Sequence, residues 1–283
     1  MKSHYLCPVC QAPMSIHEAS QGLHCENKHH LDKNDQGYWV FSQAKKPHID
    51  SRQLMRAKRF LLESGVFEPM LAAVRNQLVE ALAVSQNGEP LAHLDFDCGE
   101  GFFLRSLASA LSEHGIECQQ TGVGEAENAM FAAAKSHADA TYIVSQLKVL
   151  PFADNSFDLI TLVDKPLKGK ELLRVLKPNG FFVQVSPGPR HLWQVKEFLY
   201  NGLSEKSGDV SVPKGHHLLS QERISFKLDM SGEDALTLLE MTPYAWRASE
   251  KIKRQILAAN FAELEIDFFV SVSQKLASEI TDK

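Results

Sequence analysis

From residue 53 the apolar positions fall at helical spacing. Leu54, Met55, Phe60, Leu61 and Leu62 share a segment with Arg56, Lys58 and Arg59, so one side of this helix is apolar and another basic. Pro69 can open a second helix, in which Met70, Leu71, Val74, Leu78 and Leu82 recur every three or four residues until Asn87-Gly88 stops it. The period then changes. Leu91-Ala92-His93-Leu94-Asp95-Phe96-Asp97 reads as a strand that runs into the turn Cys98-Gly99-Glu100-Gly101, with a helix over 102–111. Weaker or shorter strands follow at 121–124, 141–144, 157–163 and 181–185, with a helix over 126–135. Strands alternating with helices predict an α/β domain built on a doubly wound parallel sheet. A ligand of such a sheet sits at the carboxyl ends of the strands, here near the first one. Residues 262–270 alternate apolar and polar, which predicts a late edge strand.

Ahead of this body the chain is patterned differently. Gly37-Tyr38-Trp39-Val40-Phe41 is a short β-prone run that closes a small N-terminal module, and 42–48 is polar, basic and broken by Pro47, as a linker is. The expected division is a module over 1–42 and a body over 43–283. Of the 283 residues, 44% are hydrophobic and 23% charged, so a buried core is feasible. No apolar run is long enough to span a bilayer, and the first residues lack a signal peptide's apolar stretch. A cytoplasmic protein without membrane partners is expected.

Charge sharpens the division. The formal net charge is -5, which argues against a general nucleic-acid binder. Residues 1–60, however, hold nine Lys/Arg against five Asp/Glu, and six of the twelve histidines. A basic front on an acidic body can meet phosphates without binding every polyanion. The module and the Arg56–Arg59 stretch are therefore the expected RNA contacts.

Three of the five cysteines lie in the first 25 residues, which points to metal binding and away from a disulfide framework. Cys7 and Cys10 are two residues apart and can grip one ion from a tight turn. Cys25 follows after fourteen residues, with His29 four positions on. Three thiolates and an imidazole suit a closed, structural Zn²⁺ site, and a module this small needs such a staple. Spacing favours His29 as the imidazole, with His24 and His30 as competing donors.

The body carries more specific motifs. Leu150-Pro151-Phe152-Ala153-Asp154-Asn155-Ser156-Phe157-Asp158-Leu159-Ile160, then Glu171-Leu172-Leu173-Arg174-Val175-Leu176-Lys177-Pro178-Asn179-Gly180, resemble the fourth- and fifth-strand motifs of class I S-adenosylmethionine (SAM) methyltransferases, which have a Rossmann-like sheet. The Cys7…His29 module, Ser186-Pro187-Gly188-Pro189-Arg190-His191-Leu192 and Met241-Thr242-Pro243-Tyr244-Ala245-Trp246-Arg247 narrow the likeness. With them the chain resembles the bacterial 23S rRNA guanine-N1 methyltransferases from Cys7 to about Phe269, least over 201–230. The resemblance implies one guanine in a 23S rRNA hairpin as substrate, SAM as methyl donor and zinc as structural metal. It places the zinc ligands on Cys7, Cys10, Cys25 and His29. It places donor contacts on Phe67, where the family carries Tyr, on Gly99-Glu100 and on His191, while Asp95 and Gly101 keep their motif positions. The oligomeric state stays open, a homodimer included.

The motif is also broken. The usual Asp-x-Gly-x-Gly-x-Gly has Asp97 at its first glycine, where the new carboxylate can repel the donor's carboxylate or pair with its ammonium. Gly124 stands where relatives place the acid that accepts from the ribose hydroxyls, and Glu125 or Glu127 are the substitutes at hand. These changes predict weaker SAM binding, tightened by at least about tenfold by Asp97→Gly with Gly124→Asp. Guanine N1 carries a proton at neutral pH, so the reaction needs a base, for which Asp164 and His191 are the candidates. Arg190 and Arg247 are candidates for phosphate or the guanine edge, and Tyr244 and Trp246 for stacking on an extruded base. Two other classes compete: an RNA-binding homologue that has lost donor binding, and a methyltransferase for a small metabolite.

Overall fold

The computed structural model describes residues 2–43, 50–83, 89–205 and 212–277. The expected linker at 42–48 falls largely, and the Asn87-Gly88 helix stop wholly, outside them. The chain begins with four short strands, β1 (Lys2–Leu6), β2 (Pro13–Ile16), β3 (Leu23–Cys25) and β4 (His30–Leu31), paired in that order as one small sheet.

The next strand, β5 (Trp39–Val40), does not close that module. It pairs in parallel with the strand at Thr141–Val144 and forms one edge of the large sheet. The short apolar run was expected to close the small sheet. Its aromatic residues instead find a larger core, because Tyr5, Trp39 and Phe41 pack with Leu94, Ile143, Phe152 and Phe157. Backbone bonds tie the module down as well: Leu6 N–H donates to Pro151 O at 2.9 Å and Ala153 N–H to His4 O at 2.8 Å. The boundary at residue 42 therefore marks a change of local pattern and not a gap between two cores.

Two helices follow, α1 (Arg52–Glu63), capped by Ser51 Oγ accepting from Leu54 N–H at 3.1 Å, and α2 (Glu68–Leu82). The alternating body is β6 (Leu91–Phe96), α3 (Phe102–Ser112), β7 (Cys118–Gly124), α4 (Glu127–Ser136), β8 (Thr141–Val144), β9 (Phe157–Val163), α5 (Glu171–Val175) and β10 (Leu176–Pro187). It ends in α6 (Trp193–Lys196), β11 (His216–Ser231), α7 (Gly232–Glu240), α8 (Glu250–Leu257) and β12 (Asn260–Lys275). The eight-stranded sheet runs β11-β12-β10-β9-β6-β7-β8-β5. All pairings from β10 to β5 are parallel, and those of β12 with β10 and β11 are antiparallel. This is the expected doubly wound class I arrangement.

The late strand is an exception to its expected place. It lies inside the sheet, between β10 and β11, with Leu264, Ile266, Phe268, Val270 and Val272 buried. The edge belongs to β11, whose exposed and half-buried positions alternate. No helix among the described residues is long and apolar enough to cross a membrane.

Strand order reverses between β9 and β6, the switch point at which a doubly wound sheet opens a crevice. The residue immediately after each of these strands has left-handed backbone: Asp97 at φ 58° and Asp164 at φ 52°. Aspartate tolerates this region better than most side chains.

Candidate functional site

In the small sheet, Cys7, Cys10, Cys25 and His29 converge so that their ligand atoms all lie within 4.8 Å of one another. Two turns set them, through Gln11 N–H to Cys7 O at 2.9 Å and Lys28 N–H to Cys25 O at 3.0 Å. A tetrahedral zinc with Zn–S near 2.3 Å and Zn–N near 2.0 Å requires S···S of about 3.8 Å and S···N of about 3.5 Å. Cys10 Sγ and Cys25 Sγ are 3.8 Å apart, and His29 Nδ1 lies 3.5 Å from both Cys7 Sγ and Cys25 Sγ. The donor set fits zinc. Asn27 Nδ2 donates to Cys10 Sγ at 3.3 Å, and this contact, first among several, pulls the Cys10 thiol down to about 6 and favours the thiolate a metal needs. His24 and His30 pair across β3 and β4, outside the cluster.

A cavity of about 730 Å³ opens at the switch point, a volume suited to a nucleoside-sized ligand. Every residue that the sequence assigns to the donor lines it except Gly101, which caps α3 beside it. Gly101 has φ 78°, and a Cβ there would stand 2.7 Å from Tyr142 Oη, so only glycine fits this turn. One wall is aromatic. Phe67 meets Phe103 edge-on at 5.6 Å and Phe268 at 6.2 Å, and Phe268 lies 4.3 Å from the His191 ring.

The acids at the cavity differ in what holds them. Glu100 is engaged by two guanidinium groups: Arg59 Nε and Nη2 donate to its Oε2 at 3.1 and 3.0 Å, and Arg105 Nη2 lies 3.2 Å from its Oε1. Asp95 is buried; its Oδ1 accepts from Thr161 Oγ1 at 2.9 Å, and its Oδ2 has no partner. Burial, helped by the nearby Asp97 charge, pushes Asp95 up to about 7. Asp97 is ion-paired with Lys165, Nζ to Oδ2 3.1 Å. Of the two acids near Gly124, Glu125 faces the cavity and accepts from Leu147 N–H at 3.1 Å, while Glu127 turns away to accept from Tyr38 Oη at 2.9 Å.

The two candidate bases separate clearly. His191 is buried, and burial drops its imidazole to about 3. Its Nδ1 accepts from Asp267 N–H at 3.3 Å, which leaves the ring proton on Nε2. At neutral pH it is a neutral wall residue and a donor, far too weak a base to hold a proton. Asp164 lines the same cavity with one carboxylate oxygen sealed off and unpartnered. Burial pushes its carboxyl up to about 7, against the opposing charges of Lys165 and Lys196. A carboxylate poised there is suited to proton abstraction.

Other expected contacts are redistributed. Arg190 forms a salt bridge with Glu265, and its guanidinium sits 4.1 Å over Trp193, so it braces the fold. Arg59 is taken by Glu100, and Lys58 by Asp50 at 2.6 Å, which removes two of the three cations of the expected basic helix face, all but Arg56, from RNA contact. Trp246 is 77% exposed at the cavity mouth, with the Arg247 guanidinium 4.6 Å over its ring. The buried network His93–Thr161–Asp95, with His93 Nε2 3.0 Å from Thr161 Oγ1, was missed from the sequence. The period-two spacing of His93 and Asp95 on β6 was its one visible trace.

Residues 94–184 match the family model described as a methyltransferase domain. A Bacillus subtilis (strain 168) protein, YxjB, provisionally named a 23S rRNA (guanine-N(1)-)-methyltransferase, is 24% identical over 96% of this chain and 98% of its own length. A Micromonospora griseorubida protein with the same provisional activity is 28% identical over 97% and 96%. The 23S rRNA (guanine(748)-N(1))-methyltransferase of Streptomyces fradiae is 26% identical over 88% and 89%. The expected likeness thus extends over nearly the whole chain, and the body contains a match to a methyltransferase domain over residues 94–184.

Proposed function

We propose that this chain, a methyltransferase similar from end to end to proteins named for 23S rRNA guanine-N1 methylation, transfers a methyl group from SAM to N1 of a guanine in a 23S rRNA hairpin. The observation that carries the reading is Asp164, whose carboxylate keeps one sealed, unpartnered oxygen in the cavity that also holds the donor-motif residues. SAM, when bound, supplies a methyl group activated on a sulfonium. The residues suited to hold it are Gly99, Asp97, Glu125 and the Phe67–Phe268–His191 wall. Asp164 accepts the N1 proton, which frees the nitrogen's electron pair in the ring plane for the methyl carbon. Trp246, exposed at the mouth, offers a face on which the extruded guanine or its neighbour stacks. Zinc has no part in the chemistry; it holds the front module.

The test is to incubate the protein with methyl-labelled SAM and 23S rRNA hairpin transcripts, digest the RNA and identify the labelled nucleoside. The expected product is 1-methylguanosine. Label at another guanine position or on ribose, or no label in RNA, overturns the reading. Tight hairpin binding without SAM binding selects the non-catalytic alternative, for which Asp97 is the motivating residue.

A further inference from the structure

We infer that Asp97 and Lys165 form a clamp for the α-amino-acid end of the methyl donor, Asp97 taking its ammonium and Lys165 its carboxylate. The inference rests on the reading that the switch-point cavity holds SAM, and it gives a role to the residue that breaks the usual motif.

The backbone removes the first objection to Asp97. Its φ of 58° is the left-handed conformation that a glycine would otherwise supply, so the turn keeps its shape with a carboxylate in place of a hydrogen. The second objection is charge. Asp95 and Asp164 already bring two carboxyl groups to the crevice, and burial raises both to about 7. A further, unpaired acid would repel a donor carboxylate. Lys165 answers it from the other side of the switch point, one residue past Asp164 at the end of β9, with Nζ 3.1 Å from Asp97 Oδ2.

The pair is also open to exchange. Both side chains line the cavity and remain about one-third exposed, 32% for Asp97 and 36% for Lys165. A zwitterion can enter such a pair by presenting each charge to its opposite. The amino-acid end itself brings no net charge to the pair, and two charge-assisted hydrogen bonds replace one. The other acid expected to meet the donor, Glu100, is neutralised by Arg59 and Arg105, so its charge is already spoken for. The unpartnered Asp95 Oδ2, two residues before Asp97 in the chain, is buried. Asp97, one-third exposed at the cavity and already facing a cation, is therefore open to an ammonium where Glu100 and Asp95 are not.

The prediction reverses the expectation drawn from the motif alone. Removing Asp97 should weaken the donor's binding, where the motif suggested that it would tighten it. The experiment is titration calorimetry of the full chain and three variants, Asp97→Asn, Lys165→Met and Lys165→Arg, against S-adenosylhomocysteine and 5′-methylthioadenosine. The second ligand keeps the adenosine and thioether but lacks the amino-acid end. Asp97→Asn and Lys165→Met should each weaken S-adenosylhomocysteine by about tenfold or more and leave 5′-methylthioadenosine within about twofold, while Lys165→Arg stays close to the parent. Equal losses for both ligands, or S-adenosylhomocysteine affinity unchanged or improved in Asp97→Asn, overturn the clamp. Failure of the unaltered protein to bind either ligand overturns the donor-site reading along with it. Thermal melts of each variant check that the fold is intact.

Discussion

The Cys/His cluster and the switch-point cavity both bring side chains together, but from different distances along the chain. The cluster takes its four ligands from two turns within residues 7–29, and each position is dictated by spacing. The cavity takes Asp97 from the end of β6, Glu125 from just past β7, Lys165 from just past β9 and His191 from beyond β10. A change in the cluster has no distant residue to absorb it. A change in the cavity does: Lys165 meets the charge of Asp97, and Glu125 stands beside the missing acid at Gly124. A motif broken in sequence therefore need not be a site broken in space.

The hardest blow should fall on the cluster. Cys25→Ser is expected to abolish stoichiometric zinc, measured by elemental analysis of the purified protein. Structural zinc in small modules contributes on the order of 10 kcal/mol to folding at neutral pH. The loss should spread, because Tyr5, Cys7, Trp39 and Phe41 pack into the same core as Leu94 and Phe157. A lowered melting temperature of the whole protein, and not of a separate module, is the expected result. Zinc retained by the variant would break the comparison at its root.

Asp164→Asn comes next. Losing a general base typically costs about 10²- to 10⁴-fold in rate, and S-adenosylhomocysteine affinity should barely move. In the unaltered protein kcat/KM should climb with pH and level off above about 7, the value to which burial raises this carboxyl. Stability should run the other way. The folded state holds the Asp164 proton up to about pH 7, while the unfolded chain releases it near 3.8, so folding loses stability as pH rises between those values. At pH 8 Asp164→Asn should then melt at a higher temperature than the parent. A variant that is both less stable and fully active would remove Asp164 from the chemistry.

Those two regions also show what the sequence could and could not disclose. Period and spacing located β6, β8 and β9, the helices at 52–63 and 102–112, and the four residues of the Cys/His cluster, because each depends on neighbours within a few turns. The burial of β12 did not show. Alternation reports that one face is apolar, not whether another strand covers the edge, and that strand, β11, came from the segment of weakest likeness. The pairing of Trp39–Val40 with Ile143–Val144 was likewise hidden in about a hundred intervening residues. In the cavity, residue types were legible and protonation states were not. Asp164 and His191 were both candidate bases, with the resemblance already placing His191 on the donor, and burial then set His191 near 3 and Asp164 near 7.

Glu125→Gln sharpens the comparison on a smaller scale. If Glu125 supplies the ribose acceptor that Gly124 lacks, its loss removes one charge-assisted contact and weakens S-adenosylhomocysteine by about tenfold. Restoring an acid with Gly124→Asp in that background should recover affinity, since a Cβ at Gly124 meets only the flexible Met130 Cε, at 3.0 Å. Calorimetry that finds Glu125→Gln neutral would assign the ribose to other groups.

The smallest effect tests what the metal cluster is for. Deleting residues 1–42 would be a poor probe of RNA contact, because β5 belongs to the large sheet and Tyr5 to its core. Of the cations in the basic front, Lys58 and Arg59 are held by Asp50 and Glu100, whereas Lys28, beside the cluster, and Lys33 are exposed. Lys28→Ala with Lys33→Ala leaves the metal ligands and the core untouched. If both lysines sit on phosphates, hairpin affinity should fall modestly, and the slope of log K against log salt should flatten by about 0.7–0.9 for each phosphate no longer neutralised. Fluorescence anisotropy over a salt series reads both quantities. An unchanged slope would mean that the module serves the fold alone, and that RNA is held at the cavity mouth around Trp246 and Arg247.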